Sequence, residues 1–122
     1  MLRVVVADDS RVMRQIVTRT LRQAGFGGHE VVEVAGGREA LALVTAEQID
    51  LILSDWNMPG MTGIDLLDTL RSRGDATPFC FVTSEGSDEV REQADAAGAL
   101  GLIAKPFTVE AFLDVISPVV TS

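Results

Sequence analysis

The sequence contains few of the residues on which several classes of protein depend. Its 122 residues include a single cysteine, Cys80, so no internal disulfide can form. Lysine and arginine together number 10, against 18 aspartates and glutamates. The resulting net charge of −8 argues against a basic surface for nucleic acid or an anionic membrane. No apolar run approaches the roughly 18 residues that a membrane-spanning helix needs. Cations and other proteins are therefore the expected binding partners.

The chain has the size of one folded domain. Its length suffices for one hydrophobic core and not for two ordinary ones, and 47% of the residues are hydrophobic. We therefore predict a single domain over residues 1–122, with no output domain. A strand-like segment follows Met1 directly, which predicts an intracellular, cytoplasmic location. Cys80 lies in the apolar run 79–82 and is expected to be a buried, unreactive side chain.

Short apolar runs alternate with amphipathic segments along the whole chain. The predicted strands cover residues 2–7, 30–34, 51–55, 78–83 and 101–104, and the predicted helices cover about 11–24, 38–46, 64–72, 88–97 and 109–117. Such regular alternation with short loops predicts an α/β fold in which a parallel sheet is covered by helices on both faces.

Three helices carry more specific expectations. The first is predicted to turn one face to the core (Val12, Ile16, Val17, Thr20, Leu21 and Ala24) and the opposite face mostly to solvent (Arg11, Arg14, Gln15, Thr18 and Arg22). These arginines either form a solvated face or a docking surface for a partner. The fourth helix offers mostly alanine to the core and should be weakly anchored. Pro118 is expected to end or kink the fifth helix near Ser117.

Polar side chains follow four of the five predicted strands at the point where each strand ends. They are Asp8 and Asp9, Asp55, Thr83 with Ser84, and Lys105, which is the only lysine. The carboxyl ends of parallel strands meet at one edge of the sheet, where ligands bind. Each residue alone has an ordinary interpretation, such as a helix cap or a strand-end side chain, so only the combination predicts a site.

Three carboxylates gathered at one edge repel one another unless a positive charge joins them. A hard divalent cation with oxygen ligands, Mg²⁺ for preference, supplies that charge and keeps positions open for water and phosphate. A metal, a lysine and a hydroxyl around one carboxylate are suited to a transferring phosphoryl group, whose charge is spread over three oxygens. We therefore predict that Asp55 accepts phosphate.

At this point the chain resembles a known family. The stretch Asp55-Trp56-Asn57-Met58-Pro59-Gly60-Met61-Thr62-Gly63, together with Asp8-Asp9, Thr83 and Lys105-Pro106-Phe107, is similar to the receiver domains of two-component response regulators, and most of all to the stand-alone receivers of chemotaxis. The resemblance covers essentially the whole chain. It implies a flavodoxin-like (βα)5 doubly wound sandwich with the strand order 2-1-3-4-5.

The resemblance also implies roles for the site residues. Asp55 would take a phosphoryl group from a phosphohistidine on a sensor histidine kinase or a histidine phosphotransfer domain. Mg²⁺ would be bound by Asp9, Asp55 and the backbone carbonyl of Asn57, with Asp8 acting largely through water. Lys105 would pair with one phosphoryl oxygen.

Further roles concern switching. Thr83 would donate a hydrogen bond to another phosphoryl oxygen and move toward it, and Lys105-Pro106 would be a cis peptide. Asn57 and Glu85 occupy positions that tune the lifetime of the aspartyl phosphate in this family. Phosphorylation would then shift the surface formed by the fourth helix, fifth strand and fifth helix, which regulates a downstream protein.

The sequence departs from the family at Leu102. An aromatic residue is common three positions before the lysine, and its rotamer follows the switch threonine, whereas leucine has no ring to swing and no hydroxyl. The phosphorylation chemistry should survive this change, but output to a partner that recognises a tyrosine becomes doubtful.

The expected protein is a monomeric phosphoacceptor switch, and its only catalysis would be self-phosphorylation and self-dephosphorylation. The alternatives are an intermediate or phosphate sink in a phosphorelay, and a phosphorylation-independent pseudo-receiver that only binds a partner. A phosphatase of the haloacid dehalogenase type also forms an aspartyl phosphate. It needs a second aspartate two residues after the nucleophile, where this chain has Asn57.

Overall fold

A computed structural model describes residues 2–26 and 28–121. Five strands and five α-helices alternate along the chain. The strands are β1 (Arg3–Ala7), β2 (Glu30–Val34), β3 (Leu51–Ser54), β4 (Phe79–Thr83) and β5 (Gly101–Ala104). The helices are α1 (Arg11–Leu21), α2 (Gly37–Ala46), α3 (Gly63–Ser72), α4 (Asp88–Ala96) and α5 (Val109–Thr121). The predicted alternation is confirmed, with strand ends within one residue of expectation.

All strand pairings in the sheet are parallel, and the strand order is β2-β1-β3-β4-β5. This order and the doubly wound, flavodoxin-like arrangement confirm the predicted fold class. The central strands β3 and β4 are buried at every residue, as expected for a parallel sheet covered on both faces.

The hydrophobic core consists of two clusters, one on each face of the sheet. Side chains from α2, α3 and α4 pack against one face, and side chains from α1 and α5 pack against the other. Cys80 is fully buried within the second cluster. Burial raises the pKa of its thiol to about 12, which agrees with the unreactive side chain that the sequence predicts.

Helix α1 buries part of the predicted stripe, namely Val17, Thr20 and Leu21, and leaves part of it exposed. Val17 and Leu21 are buried, but Val12 is 64% exposed and Ile16 38% exposed. At about 100° per residue, Val12 lies about 140° and Ile16 about 100° around the helix from Val17, in the direction away from Thr18, so both lie beyond the buried face. On the side predicted to be solvated, Thr18 is buried and Arg14 is half-buried. The prediction for this helix was therefore partly wrong.

The helix ends depend on specific residues. Ser10 caps α1 by accepting from the Met13 amide, and Ser87 caps α4 by accepting from the Val90 amide. Regular α-helix in α1 stops at Leu21, earlier than predicted, and continues as a π-helical turn, Arg22–Phe26. Three predicted stops have positive φ, as glycine readily adopts: Gly25, Gly74 and Gly98.

Of the two outcomes expected at Pro118, an end of helix α5 is wrong, since the helix continues to Thr121 with the proline inside it, and a kink near Ser117 stays a prediction. Pro118 has no backbone N–H, so the Asp114 carbonyl receives no helical hydrogen bond from it. Asp114 is exposed, so its carbonyl can bind water instead. The Ser117 hydroxyl donates to the Leu113 carbonyl, and Ile116 is fully buried, which holds this turn against the sheet.

Helix α4 buries only one small side chain in the core, and the partly buried Val90 packs against the core beside it. Ala94 is its only buried residue, and Asp88 and Glu89 in its first turn complement the helix dipole. This agrees with the weak anchoring that the sequence predicts. Among all the described residues, no helix combines the length and the apolar character that crossing a membrane would require.

Candidate functional site

Asp55 emerges directly from the end of β3 at the carboxyl edge of the sheet. Its backbone amide donates to the Ala7 carbonyl at 2.9 Å, which ties it to the end of β1. Its Oδ1 accepts from the Trp56 amide at 2.7 Å. Gly63, the first residue of α3, lies against the Asp55 carbonyl so closely that a Cβ atom there would come within 2.1 Å of that oxygen. The position of Asp55 is therefore set by β1, by the following loop and by α3.

Asp8 is held at each of its polar groups. The Asp8 amide donates to the Val34 carbonyl at 3.2 Å, and the Asp8 carbonyl accepts from Arg14 Nη1 at 2.7 Å. Its Oδ1 accepts from the Ser10 amide at 2.9 Å, and its Oδ2 accepts from Lys105 Nζ at 3.1 Å. Asp8 is 4% exposed, whereas the neighbouring Asp9 is exposed. Each oxygen of the buried Asp8 carboxylate thus accepts a hydrogen bond, whereas the Asp9 side chain is open to solvent.

The structure brings the three predicted carboxylates together. Asp8, Asp9 and Asp55 each offer one oxygen, and these oxygens lie within 4.8 Å of one another. Around Mg²⁺, with ligand distances of roughly 2.1 Å, adjacent oxygens would be about 3 Å apart and opposite ones about 4.2 Å. Small side-chain rotations would therefore let these oxygens bind one ion. The donor set contains only hard oxygen ligands, so the residues fit a divalent cation such as Mg²⁺.

Lys105 and Thr83 complete the polar edge. Lys105 Nζ lies 3.1 Å from Asp8 Oδ2 and 3.7 Å from Asp55 Oδ2, so one ammonium faces two carboxylates. The Lys105 amide donates to the Thr83 carbonyl at 2.8 Å, and the peptide between Lys105 and Pro106 is cis, as the resemblance implies. The Thr83 side chain is buried, and its hydroxyl accepts from the Glu85 amide at 3.1 Å.

Opposing effects act on the Asp55 carboxyl. Burial is the largest and raises its pKa above the ordinary value for aspartate, and the negative charge of Asp8 raises it further. The Lys105 ammonium, the Trp56 amide and the Thr83 hydroxyl lower the pKa, but they do not offset the burial. The cation-free site therefore holds a destabilised carboxylate, which an added positive charge would stabilise.

The predicted tuning and switch residues surround this centre. Asn57 and Glu85 are exposed in the loops after β3 and β4. Leu102, at the position that is commonly aromatic, is 7% exposed and packs in the core. Its carbonyl accepts from Arg91 Nη1 at 3.4 Å, a contact between α4 and β5. Trp56 packs on Phe81, with ring centroids 4.7 Å apart, one residue from Asp55.

Two residues that shape the site were not predicted from the sequence. Gly63 allows α3 to approach the Asp55 carbonyl, and a glycine at a helix start is too common to indicate that role. Arg14 reaches the Asp8 carbonyl from α1, although the sequence pattern placed it on the solvated face. Only its position one helical turn beyond the acidic pair could have suggested the contact.

Comparison with known proteins identifies the family of this chain. The family model of the response regulator receiver domain matches residues 4–117. The chain is 37% identical over 111 residues to chemotaxis protein CheY of Pseudomonas aeruginosa, covering 89% of this chain and 88% of that protein. It is 38% identical over 109 residues to chemotaxis protein CheY-3 of Vibrio cholerae, covering 88% of this chain and 82% of that protein.

Solved structures show the same similarity. Chemotaxis response regulator CheY4 of Vibrio cholerae superposes with a TM-score of 0.84 at 40% identity, covering 98% of each chain. The receiver domain of the Francisella response regulator 1452 superposes with a TM-score of 0.86 at 26% identity, covering 99% of this chain and 98% of that one. The chain therefore belongs to the response regulator receiver domain family, and it is similar to the CheY proteins of that family.

Proposed function

We propose that this receiver domain is a signalling switch that accepts a phosphoryl group on Asp55 in a Mg²⁺-dependent reaction. The observation that carries the proposal is the geometry around Asp55. Its Oδ2 lies 3.7 Å from the Lys105 ammonium, and its carboxylate lies within 4.8 Å of oxygens from Asp8 and Asp9. This arrangement offers a nucleophile, a cation-binding oxygen set and a fixed positive charge at one point.

The proposed reaction transfers the phosphoryl group from a phosphohistidine on a sensor histidine kinase or a histidine phosphotransfer domain. A carboxylate oxygen of Asp55 forms a bond to phosphorus while the phosphorus–nitrogen bond breaks. The electron pair of that bond stays on the imidazole nitrogen, which then takes a proton from solvent. Lys105 binds one phosphoryl oxygen, and the Thr83 hydroxyl donates to another. Hydrolysis of the aspartyl phosphate by water, at a rate tuned by Asn57 and Glu85, resets the switch.

The proposed metal ligands are Asp9, Asp55 and the backbone carbonyl of Asn57, with Asp8 acting through water. Mg²⁺ would neutralise negative charge on the phosphoryl oxygens and on the carboxylates when bound. The raised pKa of Asp55 supports a cation here, because a buried carboxylate beside Asp8 is stabilised by added positive charge.

The proposed output is the surface formed by α4, β5 and α5. Thr83 links the site to this surface, because its hydroxyl contacts the Glu85 amide in the loop that leads into α4. With Leu102 in place of an aromatic ring, the downstream protein must recognise a different feature from a tyrosine. The relatives named as chemotaxis proteins favour a role in chemotaxis. We further propose that this receiver acts as a monomer in the cytoplasm.

Labelling with acetyl phosphate tests the phosphoacceptor. The wild-type protein with Mg²⁺ should gain one phosphoryl group in its intact mass, and EDTA should prevent the gain. Asp55→Asn should not be labelled, because an amide is not a nucleophile toward phosphorus. Asp68→Asn, which changes an exposed aspartate on α3, should be labelled like the wild type. Labelling of Asp55→Asn would refute the assignment, and an unlabelled wild type would favour the pseudo-receiver.

Titration with Mg²⁺ tests the ligand set separately. Trp56 lies one residue from Asp55, so its fluorescence should report binding. Asp9→Ala removes a proposed ligand and should raise the Mg²⁺ Kd at least roughly tenfold, whereas Asp68→Asn should leave it unchanged. An unchanged Kd in Asp9→Ala would remove Asp9 from the ligand set.

The fate of the phosphoryl group on Asp55 distinguishes a switch from a relay intermediate. If the labelled protein passes its phosphoryl group to a histidine phosphotransfer domain faster than to water, the protein is an intermediate or a phosphate sink. A switch should instead lose the group mainly by hydrolysis.

A further inference from the structure

Arg14 lies beside the acidic cluster of Asp8, Asp9 and Asp55 and contacts it through the backbone carbonyl of Asp8, not through one of the three carboxylates. Arg14 on α1 donates from Nη1 to the Asp8 carbonyl at 2.7 Å, and its Nε lies 3.3 Å from Glu33 Oε1 on β2. The Arg14 side chain is 15% exposed, whereas Arg11 and Arg19 on the same helix are exposed. Burying a guanidinium costs free energy unless it is paired, so these two contacts explain why Arg14 can lie there.

The contacts of Arg14 act on the peptide that joins Asp8 to Asp9. Arg14 binds the carbonyl of this peptide and is itself paired with Glu33 of β2. The preceding peptide is tied to the same strand, because the Asp8 amide donates to the Val34 carbonyl. Asp9 differs from Asp8, since its carboxylate makes no hydrogen bond or ion pair with any described residue. The direction of the Asp9 side chain therefore depends on the orientation of the peptide plane before it.

We propose that Arg14 is a positioning residue for the divalent-cation site. By fixing the Asp8 carbonyl against β2, it fixes the peptide plane that carries Asp9 and directs the Asp9 carboxylate toward Asp55. Partners that orient metal ligands from outside the ligand set commonly change metal affinity in this way. The inference rests on the proposed function, in which Asp9 binds the cation.

Positioning and simple electrostatics predict opposite effects of removing this arginine. A positive charge near the cluster repels Mg²⁺, so its loss alone would strengthen cation binding. Loss of the contact to the Asp8 carbonyl frees the peptide plane and should weaken binding. Arg11, two residues after Asp9 and exposed, provides a control that loses the same charge without losing that contact.

The test compares Mg²⁺ affinity in these variants by Trp56 fluorescence. Arg14→Gln should raise the Mg²⁺ Kd about tenfold. Arg11→Gln should leave the Kd unchanged or lower it. Arg14→Lys keeps the charge, but a lysine can reach only one of the two oxygens that Arg14 contacts, the Asp8 carbonyl oxygen and Glu33 Oε1. Its Mg²⁺ Kd should therefore rise by roughly threefold and lie between those of the wild type and Arg14→Gln.

Acetyl phosphate labelling supplies a second readout. At saturating Mg²⁺ the labelling rate of Arg14→Gln should recover to within about twofold of the wild type, because the defect lies in cation affinity. A rate that stays low at every Mg²⁺ concentration, or an unchanged or lower Kd, would overturn the inference. If Arg14→Gln does not unfold cooperatively in urea, it is not properly folded and its Kd is not used. Arg14→Lys then decides the question through its Mg²⁺ Kd and its labelling rate at saturating Mg²⁺.

The Asp9→Ala variant distinguishes failure of the Arg14 inference from failure of the proposed function. If Asp9→Ala loses Mg²⁺ affinity while Arg14→Gln keeps it, Arg14 has no positioning role and the ligand set stands. If Asp9→Ala binds Mg²⁺ as tightly as the wild type, the proposed ligand set itself fails.

Discussion

The Asp55 carboxyl is in an environment that disfavours its charge. Because burial raises its pKa, the native protein binds the Asp55 proton more tightly than the unfolded chain does. The contribution of Asp55 to stability therefore falls as the pH rises from about 3.9, the ordinary value for aspartate, through the raised native value. Asp55→Asn, which cannot ionise, should raise the free energy of unfolding at neutral pH by about 1 kcal/mol. Urea unfolding in EDTA measures this difference.

The pH dependence is the sharper part of this prediction. The advantage of Asp55→Asn should shrink as the pH falls below the native pKa of Asp55, because the wild-type carboxyl then becomes neutral as well. Asp68→Asn should show no comparable gain, since Asp68 is exposed. A stability difference that does not change with pH would show that ionisation of Asp55 is not its cause.

The identities of the site residues could be predicted from the sequence, but their contacts could not. Asp8, Asp9, Asp55 and Lys105 lie at strand ends, and the parallel sheet brings strand ends together whatever the details of packing. The contact between Arg14 and the Asp8 carbonyl depends on which side of α1 faces β2. A few tens of degrees of helix rotation decide that, and the residue pattern does not resolve so small an angle.

Helix α3 shapes the site through its first residue. A Cβ atom at Gly63 would come within 2.1 Å of the Asp55 carbonyl oxygen and 2.9 Å of the Phe81 ring. Gly63→Ala should therefore push α3 away from β3, lower the free energy of unfolding by roughly 2 to 3 kcal/mol and slow labelling of Asp55. Urea unfolding and the acetyl phosphate assay measure the two effects.

Gly36 offers the matched control, because it also lies at a helix start and has open space where a Cβ would be. Gly36→Ala should cost less than about 1 kcal/mol, which is the scale of a poorer N-cap. Equal costs at the two positions would show that the approach of α3 to Asp55 is not the reason for glycine at Gly63.

The existence of each helix was easier to predict than its face or its end. Apolar spacing located all five helices, because burial of one stripe is what stabilises them. The predicted stripe of α1 was right at Val17, Thr20 and Leu21 and wrong at Val12 and Ile16, which are apolar and yet exposed. The sequence does not say which apolar residues remain uncovered. Helix α5 continues past Pro118 because packing of Ile116 and a hydrogen bond from Ser117 stabilise this turn, so only the end expected at this proline was wrong.

Over the whole molecule, alternation and short loops were enough to predict a parallel sheet with helices on both faces. They do not determine the order of the strands, since several right-handed arrangements satisfy the same alternation. The order β2-β1-β3-β4-β5 was available only from the resemblance to receiver domains. Distances such as the 3.7 Å between Lys105 and Asp55 follow from packing that no pattern encodes.

The structural change that follows phosphorylation of Asp55 should reach α4 through Thr83. The Thr83 hydroxyl holds the Glu85 amide, and α4 buries only Ala94, so movement of Thr83 toward a phosphoryl group would release a weakly anchored helix. Beryllofluoride with Mg²⁺ should therefore change hydrogen exchange in residues 84–96 and 101–104. Helix α2, on the same face of the sheet, should be unaffected. Mass spectrometry of deuterated peptides measures both regions.

Thr83→Val provides the control for this path, because it keeps the shape of the side chain and removes the hydroxyl. The variant should still be labelled at Asp55, since its nucleophile and cation ligands remain. The exchange change in α4 and β5 should be lost, because no hydroxyl is left to move toward the phosphoryl oxygens. If Thr83→Val shows the same exchange change as the wild type, the signal reaches α4 by another route, and the contact between Arg91 and the Leu102 carbonyl becomes the next bond to remove.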